Sequence, residues 1–333
     1  MRRAYCAIVT SALCLTFAAS SALAQSAADF YKGKTVTYIV ATGPGGGADF
    51  FGRLATRHMQ RLMPETQFIV KNVPGAGHIV GANVIFASHP DGLTIGSFTT
   101  GLTYAQILGQ KGVKFDLAKM SWIGKSDTDI RVLYMSAQSG YKTFQDVLAA
   151  KEPIKLGTSG VGSGAYTESQ MIAKAFNIRT RVLAGYAGGE RTMGMMRGEI
   201  DGQMGGLNST LEVARIDKGN IVLQFGDSMK DVPNAEALVT TDIGKQIVRF
   251  MKNQALLSRF VAGPPGIPQD RLTVLRTVYK QAFESPELQE EAKRSEDGNI
   301  DPLYGDDVTR LVKETIDISP ELVAVLKEAA GTP

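Results

Sequence analysis

The sequence predicts an α/β protein made of two doubly wound lobes, with the second lobe inserted into the first. Short β-branched runs alternate with stretches of helical periodicity, which is the pattern of parallel sheets covered by helices. The alternation runs from residue 35 to residue 98, resumes near residue 131, and gives way to a mostly helical segment at 268–330. Glycine-rich loops follow several strands, and open α/β sheets bind ligands beyond the carboxyl ends of their strands.

The amino terminus predicts export from the cell. Two arginines at 2–3 precede an apolar run at 7–20, and an Ala-Leu-Ala cleavage site follows at 22–24. This is the pattern of a secretory signal peptide, and the apolar run is short for a membrane-spanning helix. We therefore assign 1–24 to a cleaved signal peptide and expect a periplasmic protein. Both cysteines lie in that segment, so the mature chain has no thiol for a disulfide or for catalysis.

Charge and composition exclude several classes of function. The signal segment removes two of the 36 basic residues and none of the 33 acidic ones, so the net charge falls from +3 to +1. No run of lysine or arginine indicates nucleic-acid or membrane-surface binding. The three histidines are far apart, and neither H-E-x-x-H nor C-x-x-C occurs, so we expect no metal. We expect a monomer without a cofactor.

In the first lobe, strands are predicted at 35–42, 67–73 and 93–98, with helices at 50–62 and up to residue 87. The loop Gly-Pro-Gly-Gly-Gly-Ala-Asp, 43–49, follows the first strand. Its glycines let the backbone approach a ligand closely, and the amides of the next helical turn favour an anion. Asp49 is itself negative, so we expect it to fix the loop, or to meet a hydroxyl or amino group, rather than to bind a carboxylate.

The same loop permits a rival interpretation. It fits G-x-G-x-x-A from Gly43 to Ala48, the dinucleotide fingerprint. That fingerprint requires an acidic residue at the end of the second strand, where this chain has Lys71-Asn72. A dinucleotide-binding oxidoreductase therefore remains an alternative. A ligand sensor for a two-component kinase, with the same two-lobe fold, is a further one.

In the second lobe, strands are predicted at 132–135, 154–157, 181–183, 201–204 and 221–225, with helices at about 164–176 and 189–197. The loop at 157–164 offers hydroxyls and backbone amides without a fixed charge. A serine nucleophile would require G-x-S-x-G, and Val161 breaks that pattern for both Ser159 and Ser163. The loop at 185–190 adds Tyr186, a residue able to stack on a ligand or bond to it.

Taken together, these motifs resemble the Bug family, the periplasmic receptors of tripartite tricarboxylate transporters. The segments that carry the resemblance are, in order, Ile39–Asp49, Asn72–Gly77, Pro90–Thr94, Gly160–Ser163, Tyr186–Gly189 and Ala262–Pro268. Their order and spacing cover almost all of the mature chain. The resemblance implies a type II periplasmic-binding-protein fold with two hinged lobes. It also implies a small carboxylate ligand held mainly by amides and hydroxyls, and delivery to membrane permease subunits without catalysis.

Carried over residue by residue, the resemblance places the ligand contacts on both lobes. They are Pro44, Gly45, Gly46, Gly47, Ala48, Asp49, Gly77 and His78 in the first lobe, and Ser159, Gly160, Val161, Gly162, Ser163, Gly164, Tyr186, Ala187 and Gly188 in the second. The lobes themselves are predicted at 25–127 with 229–333, and at 128–228, with hinges near 126–130 and 225–228.

Ala187 departs from the family pattern, which commonly has lysine there. The missing charge argues against a tricarboxylate and favours an aromatic or less charged acid. Phe50, Phe51 and Tyr166 lie near the loops and suit such a ligand.

Overall fold

The computed structural model describes residues 27–44, 46–161, 163–186, 189–294 and 300–331. The predicted signal peptide lies outside these ranges. Within them, no helix combines the length and the apolar character that crossing a membrane requires.

The first sheet has six strands in the order β11-β4-β10-β3-β1-β2. Its strands are β1 Thr35–Val40, β2 Gln67–Asn72, β3 Thr94–Phe98, β4 Ser121–Asp127, β10 Ser258–Gly263 and β11 Leu303–Tyr304. β1 is parallel to both β2 and β3, while β10 is antiparallel to β3 and to β4. The carboxyl ends of β1, β2 and β3 therefore meet at one edge of the sheet.

The second sheet repeats this plan with five strands in the order β7-β6-β8-β5-β9. Its strands are β5 Arg131–Met135, β6 Ile154–Thr158, β7 Thr180–Ala184, β8 Gly202–Gly206 and β9 Asn220–Phe225. β6 is parallel to β7 and β8, and β5 is antiparallel to β8 and β9. Two α/β lobes are thus present, as the alternation of strands and helices predicts.

Helices cover both sheets. They are α1 Gly46–Leu62, α2 Ile79–Phe86, α3 Gly101–Ile107, α4 Phe144–Leu148, α5 Gly164–Phe176, α6 Gly189–Met196, α7 Leu207–Asp217, α8 Ala235–Leu238, α9 Asp242–Leu256, α10 Gln269–Glu284, α11 Pro286–Lys293, α12 Gly305–Ile316 and α13 Pro320–Ala329. α1 begins four residues before the predicted start, inside the glycine-rich loop. Asp49 in its first turn stabilises that end of the helix through the helix dipole.

The helical tail divides between the two cores, whereas the sequence predicts packing on the first lobe alone. α10, α11 and α12 contribute buried side chains to the first lobe. α13 instead packs on α5, and its Leu322 and Leu326 join the second core beside Met171. α9 lies there too, through Ile247 and Phe250. α8 contributes Ala235 to the same core. The segment 229–333, predicted as part of the first lobe, thus supplies three helices to the second core, α8, α9 and α13.

The chain crosses between the lobes twice, as a two-strand hinge requires. The first crossing, 128–130, joins β4 to β5 and lies where it is predicted. The sequence predicts the second crossing at 225–228, and the structure differs there. After β9 the chain stays with the second core, because the apolar face of α9 is buried against α5, and it returns to the first sheet only at 256–258. Asp129 N donates to Ala255 O at 3.0 Å and links the two crossings.

Candidate functional site

A cavity of about 110 Å³ lies where the two lobes meet at the crossings. Both lobes line it, together with the first crossing and the end of α9 just before the second crossing. The lining residues are Thr100, Gly101, Tyr104, Asp129, Arg131, Gly164, Glu168, Gln254 and Ala255. Gly164 is the first residue of α5, so the amino-terminal end of that helix reaches the cavity. A larger surface cavity of about 360 Å³, beside Arg249 and Lys313, lies away from the glycine-rich loops. We therefore take the smaller cavity and the loops around it as the candidate site.

Asp49 ties the loop after β1 to the end of β2. Its side chain is 8% exposed, and its Oδ1 accepts a hydrogen bond from Asn72 Nδ2 at 2.9 Å. Its Oδ2 accepts from Arg53 Nε at 3.0 Å. Asn72 Nδ2 also donates to the Thr42 carbonyl at 3.1 Å, and Arg53 Nη2 donates to Asn72 Oδ1 at 3.0 Å. Asp49 therefore fixes the loop, and β2 ends in an amide where a ribose-binding acid would be needed.

The loop after β2 holds four consecutive residues in the left-handed region. The φ angles are 137° at Gly75, 45° at Ala76, 62° at Gly77 and 79° at His78. For Ala76 and His78 this conformation costs energy, and such strained backbone is concentrated at ligand sites. His78 Nδ1 lies 2.7 Å from Thr99 Oγ1, which joins this loop to the one after β3. Burial lowers the pKa of His78, so its imidazole is neutral at neutral pH.

Ser163 closes the amino-terminal end of α5. Its Oγ accepts from Tyr166 N at 3.2 Å and donates to the Gly160 carbonyl at 2.8 Å. The hydroxyl thus caps the helix and shapes the loop. Of the neighbouring hydroxyls, Thr158 is buried and donates to the Leu183 carbonyl at 3.3 Å. Ser159 is exposed and is the hydroxyl most open to a ligand among these three.

Tyr186 packs on α6. Its backbone N donates to the Thr158 carbonyl at 2.9 Å, which joins the loops after β6 and β7. Its ring covers Gly194, where an added Cβ would lie 2.6 Å from Tyr186 Cε1. Its hydroxyl donates to Glu199 Oε2 at 3.2 Å. The ring is therefore held by its own lobe, and a ligand contact of Tyr186 stays a prediction.

The remaining predicted contacts divide into described and undescribed residues. Gly45, Gly162, Ala187 and Gly188 lie outside the described residues. Gly46 and Gly47 form the start of α1, Ala48 is half-buried, and Pro44 and Val161 are exposed. Phe51, expected near the ligand, is instead 2% exposed in the first core, under the guanidinium of Arg259.

Several residues that line the cavity carry no motif by which the sequence could identify them. The Arg131 guanidinium donates to Glu168 Oε2 at 2.6 Å and pairs with Asp129 Oδ2 at 3.2 Å. Burial raises the pKa of Glu168, and Arg131 opposes that shift. Tyr104 Oη and Gln254 Nε2 are buried without a hydrogen-bond partner in the part of the chain that the structure describes. Such groups are rare in native proteins and indicate a place for a ligand or ordered water.

In the described ranges, no three His, Cys, Asp or Glu side chains come together in a metal-binding arrangement.

Two lobes of the same strand plan, joined by two crossings, meet at a polar cavity. That combination defines a solute-binding protein with the type II periplasmic-binding-protein fold.

Comparison with known families gives a specific assignment. The family described as "Tripartite tricarboxylate transporter family receptor" matches residues 52–327. The chain therefore belongs to this family, as the motifs predict. Two UPF0065 proteins are similar in sequence. One, from Bordetella pertussis, is 26% identical over 81% of this chain and 83% of its own. The other, from Pseudomonas sp. strain P51, is 28% identical, and the match spans 51% of each chain.

Three solved structures share the fold at low identity. A TctC solute-binding protein from Polaromonas, solved without ligand, has a TM-score of 0.72 at 16% identity, over 90% of this chain and 99% of that one. MatC from Rhodopseudomonas palustris with bound malate has a TM-score of 0.61 at 17% identity, over 88% and 99%. Rpa4515 from the same organism, with adipate, has a TM-score of 0.63 at 15% identity, over 90% and 97%.

These findings settle the class of protein. The chain is a receptor of a transport system, with no role as an enzyme, and the periplasm is where its family acts. The oxidoreductase alternative is thereby excluded.

Proposed function

We propose that this receptor captures a small organic acid between its lobes and delivers it to the membrane subunits of a tripartite transporter. The observation that carries the proposal is the cavity at the crossings, which both lobes line. Two of its lining residues have a buried polar atom, Tyr104 Oη and Gln254 Nε2, that finds no hydrogen-bond partner among the described residues. The amino-terminal end of α5, at Gly164, adds backbone amides that favour an anion. Malate and adipate, bound in the two Rhodopseudomonas palustris proteins, support an acid as the ligand.

Contacts that the ligand makes with both lobes supply the binding free energy and favour closure. The described residues of 27–127 and 256–316 move as one lobe, and those of 128–255 move with α13 as the other. Neither lobe alone removes the ligand from water. A carboxylate that contacts both favours the closed arrangement because it binds that arrangement more tightly. Exclusion of water then strengthens each charge-assisted hydrogen bond.

Export precedes function in this proposal. The chain reaches the periplasm through the signal peptide at 1–24, which is cleaved after Ala24, and the mature protein acts as a monomer. Mass spectrometry of the protein purified from the periplasm of an expressing bacterium tests the cleavage. A mature chain that begins at Gln25 is expected, and an intact amino terminus would contradict the assignment.

A thermal-shift screen of the mature protein tests ligand capture. The panel contains malate, adipate, succinate and benzoate, with nicotinamide nucleotides as the negative control. At 100 times its dissociation constant, a ligand that binds only the folded state adds about 2.7 kcal/mol to the free energy of unfolding. We expect at least one acid to raise Tm and the nucleotides to leave it unchanged. Stabilisation by a nucleotide alone, or by no acid, would overturn the proposal.

A further inference from the structure

Arg191, in the first turn of α6, holds its guanidinium at the ligand edge of the second sheet. Its Nε donates to the carbonyl of Tyr186, in the loop after β7, at 3.2 Å. Its Nη1 donates to Gln203 Oε1 at 3.2 Å, and Gln203 is a buried residue of β8. The side chain thus links the loop at the carboxyl-terminal end of β7 to β8, across the intervening strand β6. That edge carries the loops predicted to bind the ligand.

The charge of Arg191 is unbalanced within the described residues. Both of its hydrogen bonds go to neutral oxygens, and no described Asp or Glu lies within ion-pair distance of it. The neighbouring arginines differ. Arg131 is paired with Glu168 and Asp129. Arg197 is paired with Glu199, and even Glu190, which adjoins Arg191 in sequence, lies 3.7 Å from Arg197.

The surroundings of Arg191 make this imbalance costly. The side chain is partly buried, and burial, together with the positive charge of Arg131, lowers the pKa of Arg191. Taking a cation out of water beside a like charge destabilises the ligand-free protein unless a counter-charge is supplied. Arg131 lines the cavity between the lobes, so the repulsion that Arg191 experiences comes from the direction of that cavity. An anion bound there would relieve it.

We propose that Arg191 binds an anionic oxygen of the ligand and makes the second lobe selective for acids. The inference rests on the proposed function and identifies the residue that gives the site its charge requirement. The guanidinium offers planar N–H groups beyond the two already used, which suits a carboxylate. In the closed arrangement the carboxylate would replace water as the partner of these groups.

Isothermal titration calorimetry tests the proposal with whichever acid of the panel raises Tm most. The variants are Arg191→Gln, which removes the charge, and Arg191→Lys, which keeps it. Arg197→Gln is the matched control, because Arg197 follows the same helix, is exposed and already has acidic partners. A hydrogen bond between charged groups contributes enough for Arg191→Gln to weaken binding about 10- to 100-fold. Arg191→Lys should recover part of the loss, and Arg197→Gln should bind like wild type.

The outcomes separate this inference from the receptor function. If the wild type binds an acid and Arg191→Gln binds it equally well, the role of Arg191 is wrong and the receptor function stands. If no acid binds the wild type, both fail.

Footprinting of the wild type requires no variant to fold. Phenylglyoxal labelling followed by mass spectrometry should show Arg191 protected by the bound acid and Arg197 unaffected. Equal labelling of Arg191 with and without a saturating acid would overturn the inference.

Discussion

The two edges that face each other across the cavity are built in different ways. In the first lobe, side chains tie neighbouring loops together, through Asp49 with Asn72 and through His78 with Thr99. In the second lobe, the described parts of the loops after β6 and β7 are joined through the backbone, where Tyr186 N donates to the Thr158 carbonyl. The second edge also carries a partly buried cation, Arg191, that has no acidic partner among the described residues. The described loops of the first edge have no such cation.

This difference suggests that the two lobes contribute to ligand binding in different ways. A loop fixed by buried side chains and strained backbone has already lost its freedom before the ligand arrives, so less ordering entropy opposes binding. The first lobe is then a preformed platform of amides. The second lobe, with its unbalanced charge, responds more strongly to the charge of the ligand. Substitutions at the two edges should therefore affect stability and binding in different proportions.

The largest expected effect is the loss of the first-lobe network in Asp49→Ala. The change removes one of the two acceptors of the Asn72 amide, which still donates to the Thr42 carbonyl, and the acceptor of Arg53 Nε. Hydrogen bonds to a charged group contribute about 1.5–3 kcal/mol, so urea unfolding should show a decrease of about 1–3 kcal/mol in the free energy of unfolding. Ligand affinity should fall with it, since the loop loses its fixed shape.

Asp29→Ala is the control for this change. Asp29 forms an exposed pair with Lys32 at 2.8 Å, and exposed pairs contribute about 0–1 kcal/mol. If Asp49→Ala were as mild as Asp29→Ala, the first-lobe edge would not be a preformed platform.

An intermediate effect is expected from Ser163→Ala in the second lobe, compared with Ser285→Ala. Both serines cap helices, since Ser285 Oγ accepts from Leu288 N at 3.3 Å, but Ser285 lies on α11, away from the cavity. Each substitution should lower stability by about 1 kcal/mol. Only Ser163→Ala should also weaken acid binding, by about fivefold, because it releases the loop that leads into Gly164. Equal affinity of the two variants would show that this loop is only a helix cap.

Periodicity and loop chemistry predict β1 to β3 and β5 to β9 close to their observed positions, and α5 at its observed bounds, but they do not predict β4, β10 and β11 of the first sheet. Periodicity and loop chemistry do not predict which of the two cores a helix packs against. The apolar faces of α9 and α13 are visible in the sequence, but a face does not say which sheet it packs against. Which sheet each helix covers depends on the shape of the second core around Met171. The position of the second crossing depends on it too, because the chain returns to the first sheet only after α9.

The candidate site, too, can be predicted only in part from the sequence. The glycine-rich loops can be recognised in the sequence, and so can Asp49 as a residue that fixes one of them. Tyr104, Arg131 and Gln254 lie far apart in the sequence, and only the fold brings them to one cavity. The sequence does not single out Arg191, because Ala187 in place of the family's lysine indicates a missing charge. The sequence does not reveal that Glu190 lies near Arg197 and leaves its neighbour unbalanced.

The smallest expected effect is the pH dependence that His78 gives to the first-lobe edge. Burial lowers the pKa of His78 below its ordinary value of 6.5, so on acidification the unfolded chain takes up this proton before the folded protein does. Stability should therefore fall as the pH drops through 6.5 towards the folded-state pKa. His78→Gln removes this contribution, so its stability should change less than that of the wild type between about pH 7.5 and about pH 5.5.

Urea unfolding at these two pH values measures the effect, and all other titrating groups cancel in the comparison. His89→Gln, at an exposed position, serves as the control and should follow the wild type. A histidine NMR titration of the folded protein gives the pKa directly, and only three histidine signals need to be assigned. If His78 titrates at or above 6.5, the loop after β2 is open to water. The evidence that the first edge is preformed would then rest on the contact between Asp49 and Asn72 alone.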